Sequence, residues 1–263
     1  MIRVAVSGSG SMGTLVLNTV QAQPDMQPVG ILEPLGSAPD EVHLASGDAM
    51  PVFDRPEGLV ESARPDVLVD FTNAAYTPEL VAAARSLGVR LVVGTSGVEP
   101  GVIEDWRAGC ASSGLGGVYA ANFAIGAVLQ MHMAALAAKF FDSAEIIELH
   151  HDRKVDSPSG TALTTARLMR DARGSDFAMN TPDLEHLPGA RGAQHGGIPL
   201  HSVRLPGYVA SQEVIFGGLG QTLTLRHDTI GRESFMPGVM LAIREVMLRA
   251  ELVVGLDALV GLR

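Results

Sequence analysis

The stretch from Glu148 to Ala162 gathers residue types that can move protons and hold an anion. His150 and His151 are adjacent, Lys154 follows four residues after His150, and Ser157-Pro158-Ser159-Gly160-Thr161 leads into a helical pattern. An imidazole carries a proton near neutral pH and so suits general-acid work. A nearby lysine supplies fixed positive charge or a second proton. Free N–H groups at Gly160 and Thr161, at the start of a helix, could hold a carboxylate. Plainer readings stand beside this one. Adjacent strand residues point to opposite faces, so the two histidines are poor joint ligands and no metal is expected. Ser157 and Ser159 suit helix capping. Taken alone, His150 and Lys154 also fit a solvated strand end.

A second pattern opens the chain. The apolar run Ile2–Ser7 feeds into Gly8-Ser9-Gly10-Ser11-Met12-Gly13, a GxGxxG at the head of a helix. Gly8 suits the tight turn, Gly10 lets backbone approach a pyrophosphate, and Gly13 lets helix and strand pack closely. The helix N-terminus offers N–H groups and a positive dipole end to phosphate. Glu33 lies twenty residues after Gly13, at the end of the next expected strand, where a carboxylate can accept hydrogen bonds from a ribose. It would repel a 2′-phosphate, and Ser9 and Ser11 stand where a cation could have compensated. NADH is therefore expected over NADPH, with NADPH as a second cofactor.

Composition limits the alternatives. The 263 residues are 46% hydrophobic and 18% charged, with a formal net charge of −10. No basic cluster is present, so nucleic-acid and membrane partners are not expected. The one cysteine, Cys110, excludes a disulfide framework and reads as an inert thiol. No apolar run approaches the ~20 residues of a membrane span, and the N-terminus lacks signal-peptide features. A cytoplasmic protein is expected.

These groups need elements to position them. Short, nearly continuous apolar runs at Ile2–Ser7, 29–32, Val67–Asp70, 91–94 and 118–120 read as strands. Helical stretches at 14–22, 78–87 and 102–111 lie between them. That alternation predicts an α/β fold with a doubly wound, Rossmann-type parallel sheet. The segment 34–64 reads only as a variable excursion. Beyond Asn122 the pattern changes to a helix at 124–140, a strand at 144–150 and a helix at 160–172. A Gly- and Pro-rich loop at 173–197 is expected to be mobile. Strands at 200–205, 208–216 and 222–228 follow with short links, then a helix at 235–248. The expected division is a dinucleotide-binding domain at 1–121 plus 231–263. An inserted α+β substrate-binding domain, with an open mixed sheet, fills 122–230.

The stretch from His150 to Ala162 resembles the His-His-x-x-Lys-x-Asp-(Ala/Ser)-Pro-Ser-Gly-Thr-Ala signature of the 4-hydroxy-tetrahydrodipicolinate (dihydrodipicolinate) reductases of lysine biosynthesis. The likeness extends through Asp70-Phe71-Thr72, Gly94-Thr95-Ser96-Gly97, Ala120 to Gly126, and Gly189 to Gly192. It continues at His201 to Leu205, Gln212 to Gly217 and Arg232 to Phe235. The resemblance implies an NAD(P)H-dependent reductase of a small dicarboxylate, assembled as a homotetramer through the sheet of 122–230, which makes that domain the oligomerisation domain as well. His150 would donate the proton with Lys154 as its partner, and His151, Gly160 and Thr161 would bind substrate. Phe71, Thr72, Gly94, Thr95, Ser96, Ala120, Ala121, Asn122 and Phe123 would join the glycine loop in holding the cofactor. The loop departs from the family by being one residue shorter and uncharged, Ser96 replaces a usual Thr, and Gln221 a frequent Glu. Two rivals remain on the residues alone. An aldehyde dehydrogenase on the same scaffold would need a pocket cysteine. A nucleotide sensor would have little use for His150 and Lys154.

Overall fold

The structure is a computed structural model that describes residues 1–34, 41–179 and 181–262. Strand β1 (Ile2–Ser7) leads into helix α1 (Ser11–Gln21) and strand β2 (Met26–Leu32). The segment expected to be a variable excursion instead holds β3 (Glu41–His43), β4 (Ala49–Phe53) and helix α2 (Pro56–Ala63). Its residues 35–40 lie outside the described residues. The sequence understated this segment because β3 is only three residues long and β4, though apolar from Ala49 to Phe53, contains Pro51, and none of their residues is buried. Next come β5 (Val67–Asp70), α3 (Thr77–Leu87), β6 (Arg90–Val93), α4 (Pro100–Ser113) and β7 (Gly117–Tyr119). Helix α5 (Ile125–Ala137), strand β8 (Ser143–His150) and helix α6 (Gly160–Arg173) follow. Strands β9 (Ala193–His195), β10 (Ile198–Arg204), β11 (Ala210–Gly218) and β12 (Gln221–Thr229) precede α7 (Met236–Val246), β13 (Leu252–Val254) and α8 (Leu256–Leu259).

The chain divides into two compact units, Met1–Ile125 with Phe235–Arg263, and Gly126–Ser234. The first holds an eight-stranded sheet in the order β13-β7-β6-β5-β1-β2-β4-β3. Every pairing in it is parallel except the edge pair β3–β4. This is the expected doubly wound sheet with one antiparallel edge strand added. Helices cover both faces of such a sheet, which is why Val4 to Ser7 and Val67 to Asp70 are all buried. Helix α1 buries Gly13, Val16, Leu17 and Val20 along one stripe, each large side chain contributing about 1.5–3 kcal/mol. Helices α3 and α4 start with proline in the first turn and stop at left-handed Gly88 and Gly114. Cys110 is buried in α4, and burial pushes its thiol pKa up, as expected of an inert thiol.

The second unit carries a five-stranded mixed sheet, β12-β11-β8-β10-β9, in which only β8 and β10 run parallel. Its core joins Ala134 and Ala138 to Ala162, Ala166 and Met169, over Ile146, Leu200, Val214 and Phe216. One face of the sheet is thus covered by α5 and α6. Strand β11 begins two residues later than expected because the chain turns at Pro206 and Gly207 and bends again before Ala210. No helix among the described residues is long and apolar enough to cross a membrane.

Candidate active site

In the first unit the chain leaves β1, at the centre of the sheet, and later resumes at β5 beside it. That reversal makes a crevice outside the carboxyl ends of the two strands, the usual ligand position in open α/β sheets. Gly8 follows β1 and Phe71 follows β5. A Cβ on Gly8 would come within 3.0 Å of Thr72 Cγ2, so the two loops are in contact. Gly8 needs its freedom, with φ of +94°, and its N–H donates to Leu32 O at 2.8 Å. At Gly13 a Cβ would lie 2.0 Å from Gly8 O. At Gly10 a Cβ would meet no protein atom within 4 Å, and its φ of −69° suits any residue. Gly10 is also the N-cap of α1 and offers no side-chain cap, so the N–H groups of Ser11, Met12 and Gly13 are left for a ligand. The loop therefore fits a dinucleotide pyrophosphate. Glu33 is engaged within the protein: Ser9 N–H and Ser9 Oγ both donate to its Oε2 at 2.7 Å.

The other expected cofactor residues gather at the ends of β5, β6 and β7. Their organiser is Asp70, which is fully buried and was given no role by sequence reasoning. Its Oδ1 accepts from Thr72 Oγ1 at 2.6 Å and Thr72 N at 3.2 Å, and its Oδ2 from Thr95 Oγ1 at 2.9 Å. Burial pushes the Asp70 pKa up, against the lowering effect of hydrogen bonds from Thr72, Thr95 and Ser7. The Phe71 ring packs so closely on Gly94 that a Cβ there would lie 2.0 Å from it. Phe71 also meets the Phe123 ring edge-on, centroids 5.7 Å apart. Asn122 Oδ1 accepts from Ala124 N at 2.9 Å, and Ala120 N donates to Val93 O at 3.0 Å. Ser96 and Ala121 are exposed beside these buried groups.

In the second unit, β8 ends at His150 and α6 begins at Gly160, with Ser157-Pro158 in the cis form between them. Ser159, not Ser157, is the N-cap, accepting from Ala162 N at 3.2 Å. The N–H groups of Gly160 and Thr161 remain uncapped, Gly160 is exposed, and a Cβ there would meet nothing within 4 Å. His150 is not a solvated strand end. Its Nδ1 lies 2.5 Å from Glu148 Oε2, and Glu148 is fully buried. Arg204, opposite His150 in the parallel β8–β10 ladder, donates to both oxygens of Glu148 at 2.9 and 2.7 Å. Lys154 Nζ sits 2.7 Å from Asp156 Oδ1. His151 Nδ1 is buried with no hydrogen-bond partner in the structure.

Burial lowers the His150 pKa, with Lys154 and Arg204 adding to it against the raising effect of Glu148. Burial would raise Glu148, but hydrogen bonds from Arg204, Ser202 and His150 win and hold it low. The site therefore pairs an ionised buried carboxylate with an imidazole poised to give up its proton. No metal-binding group of His, Cys, Asp or Glu occurs among the described residues. Sequence reasoning missed the roles of Glu148 and Arg204. Glu148 was readable, since residues two apart on a strand share a face.

Residues 2–123 match the profile described as dihydrodipicolinate reductase, N-terminus, and residues 126–260 match its C-terminus. The chain belongs to the dihydrodipicolinate reductase family. Among its relatives is a 4-hydroxy-tetrahydrodipicolinate reductase of Dehalococcoides mccartyi, 45% identical over 262 residues, or 99% of each chain. One of Geobacillus kaustophilus is 45% identical over 259 residues, covering 97% of this chain and 98% of the relative. A dipicolinate-bound dihydrodipicolinate reductase from Paenisporosarcina sp. TG-14 superposes with a TM-score of 0.87 at 42% identity, covering 98% of this chain and 99% of that one. An amine dehydrogenase from Mycobacterium smegmatis, with a TM-score of 0.65 at 15% identity, shares the fold alone. Family membership and the Rossmann-type sheet together make this chain a user of NAD(P)H.

Proposed function

We propose that this chain reduces (2S,4S)-4-hydroxy-2,3,4,5-tetrahydrodipicolinate to tetrahydrodipicolinate, with loss of water, in diaminopimelate and lysine biosynthesis. The observation that carries this reading is the buried Glu148–His150 pair with Lys154, set beside the uncapped start of α6. NAD(P)H, when bound, supplies a hydride to the substrate double bond. Gly8 to Gly13 would hold its pyrophosphate and Glu33 its ribose. Phe71, Thr72, Gly94 to Ser96 and Ala120 to Phe123 would wall the nicotinamide. His150 delivers the proton to the carbon next to the one that is reduced, and Lys154 stabilises negative charge there or shares the proton. Gly160 and Thr161 bind a substrate carboxylate through their N–H groups and the Thr161 hydroxyl, and His151 also binds substrate. The dipicolinate in the Paenisporosarcina relative is consistent with a dicarboxylate.

NADH is the preferred cofactor, because Glu33 is a carboxylate and its loop brings Ser9 and no cation to it. The protein works in the cytoplasm without nucleic-acid or membrane partners. It assembles as a homotetramer through the sheet of the second unit, whose uncovered face carries half-buried Ile147 and Ile215. The test is turnover on freshly generated aldol product, followed as loss of reduced-nicotinamide absorbance, with NADH and NADPH compared. Substrate-dependent oxidation of either cofactor is expected. None with either would overturn the reading.

A further inference from the structure

We propose that Glu148 is a positioning residue for proton delivery: its carboxylate holds the Nδ1–H of His150 and so presents the Nε2 proton to the substrate. The proposal rests on His150 being the proton donor. A carboxylate buried without partners is costly, and Glu148 has several. His150 Nδ1 lies at 2.5 Å, Arg204 spans both oxygens, and Ser159 N–H donates to Oε1 at 3.3 Å. Arg204 and Ser159 already satisfy the charge, so the bond to His150 is beyond what burial of Glu148 demands.

An ionised carboxylate can only accept, so the ring nitrogen facing it must carry hydrogen. Neutral His150 is then the Nδ1–H tautomer, and the proton it gains and gives away is on Nε2. The same buried group reaches Lys154. Arg204 donates from its second nitrogen to Asp156 O at 2.8 Å, and Asp156 Oδ1 pairs with Lys154 Nζ at 2.7 Å. Glu148 thus anchors, through Arg204, the turn that carries the second candidate.

Three charged groups bear on the His150 ring: Glu148 from its own strand, Lys154 from the following turn, and Arg204 from β10. Ala210 pairs with it from β11, and Ser159 from the start of α6 carries no charge. Glu148 is the only anion of the three. Replacing it with a neutral isostere leaves two cations facing the imidazolium, which then loses its proton at lower pH.

Glu148→Gln is expected to move the alkaline limb of kcat/KM to lower pH and to reduce kcat about 10²–10³-fold. That is part of the ~10²–10⁴-fold a positioned general acid supplies. Substrate KM and NADH Kd should change little. His150→Gln is measured alongside. If His150→Gln lowers kcat while Glu148→Gln keeps kcat and pH profile, the positioning role is overturned and the proton donor stands. If His150→Gln leaves kcat near wild type, the donor and with it this proposal are overturned. Nitrogen NMR of the neutral His150 ring in the wild-type protein gives a reading that needs no variant. A proton on Nδ1 supports the proposal, and one on Nε2 overturns it even where Glu148→Gln fails to fold.

Discussion

Gly10→Ala and Gly13→Ala should fail in opposite ways, because the two glycines of one loop face different neighbours. A Cβ at Gly13 would lie 2.0 Å from Gly8 O and 3.1 Å from Gly8 C. Real contacts of this kind hardly fall below 3.0 Å, so the Gly8 carbonyl must retreat by at least 3.0 − 2.0 = 1.0 Å. It is held there by a φ of +94° and by the Gly8 N–H bond to Leu32. Overpacking of this kind costs ~1–3 kcal/mol, of which the better helix propensity of alanine returns ~1. Gly13→Ala should therefore lower Tm and weaken NADH together. At Gly10 the φ of −69° and ψ of −177° suit alanine, and a Cβ meets no protein atom. Gly10→Ala should change Tm little, since the ~0.4–1 kcal/mol that alanine gains by reducing unfolded-state entropy is offset by its poorer fit at the N-cap of α1. Its NADH Kd should nevertheless rise by about tenfold or more, or ~1.4 kcal/mol, because the methyl stands where backbone meets pyrophosphate. Thermal melts and calorimetric NADH titrations of the two variants decide the matter. A Gly10→Ala protein that binds NADH as wild type does would refute the assignment of this loop to the dinucleotide.

Cofactor choice should respond to Glu33: wild type is expected to bind NADH more tightly than NADPH in calorimetry, and Glu33→Ala should narrow the gap. Equal or tighter NADPH binding by wild type would count against this. Thr161→Val should raise substrate KM, a hydrogen bond to a charged group being worth ~1.5–3 kcal/mol, and leave NADH Kd alone. Pyridine-2,6-dicarboxylate should compete with substrate, and inhibition purely competitive with NADH would argue for another site. Because burial lowers the His150 pKa, its protonated form is depleted as pH rises through a value below the ordinary ~6.5. In the free enzyme kcat/KM should accordingly fall on the alkaline side with an apparent pKa below that of an exposed histidine. A limb at or above it would show that Glu148 outweighs burial. The double variant His150→Gln, Lys154→Ala should lose less kcat than the product of the single losses if the two act as a unit. Fully multiplicative losses would mean independent roles.

The sequence by itself determined the parallel sheet, because strands covered on both faces must be apolar throughout, as in Val4 to Val6 and Val67 to Val69. It also determined the glycine loop, since Gly13 and Gly8 sit where a side chain or an ordinary φ is excluded. The His150-to-Thr161 segment stood out by its residue types and spacing, but on these alone His150 and Lys154 also fitted a solvated strand end, and the family resemblance carried their roles. Short strands such as β3 and β4, in which no residue is buried, were not legible, because their pairing is set by neighbours and leaves no periodicity in the chain. Which serine caps α6 was likewise open until the turn placed Ser159 under Ala162. The long-range polar contacts came only with tertiary structure. Asp70 meets Thr95 across 25 residues, and Glu148 meets Arg204 across 56. Such partners are chosen by the register of β5 on β6 and of β8 on β10. Sequence marks which residues can carry charge, and burial in a particular register decides which of them must be paired.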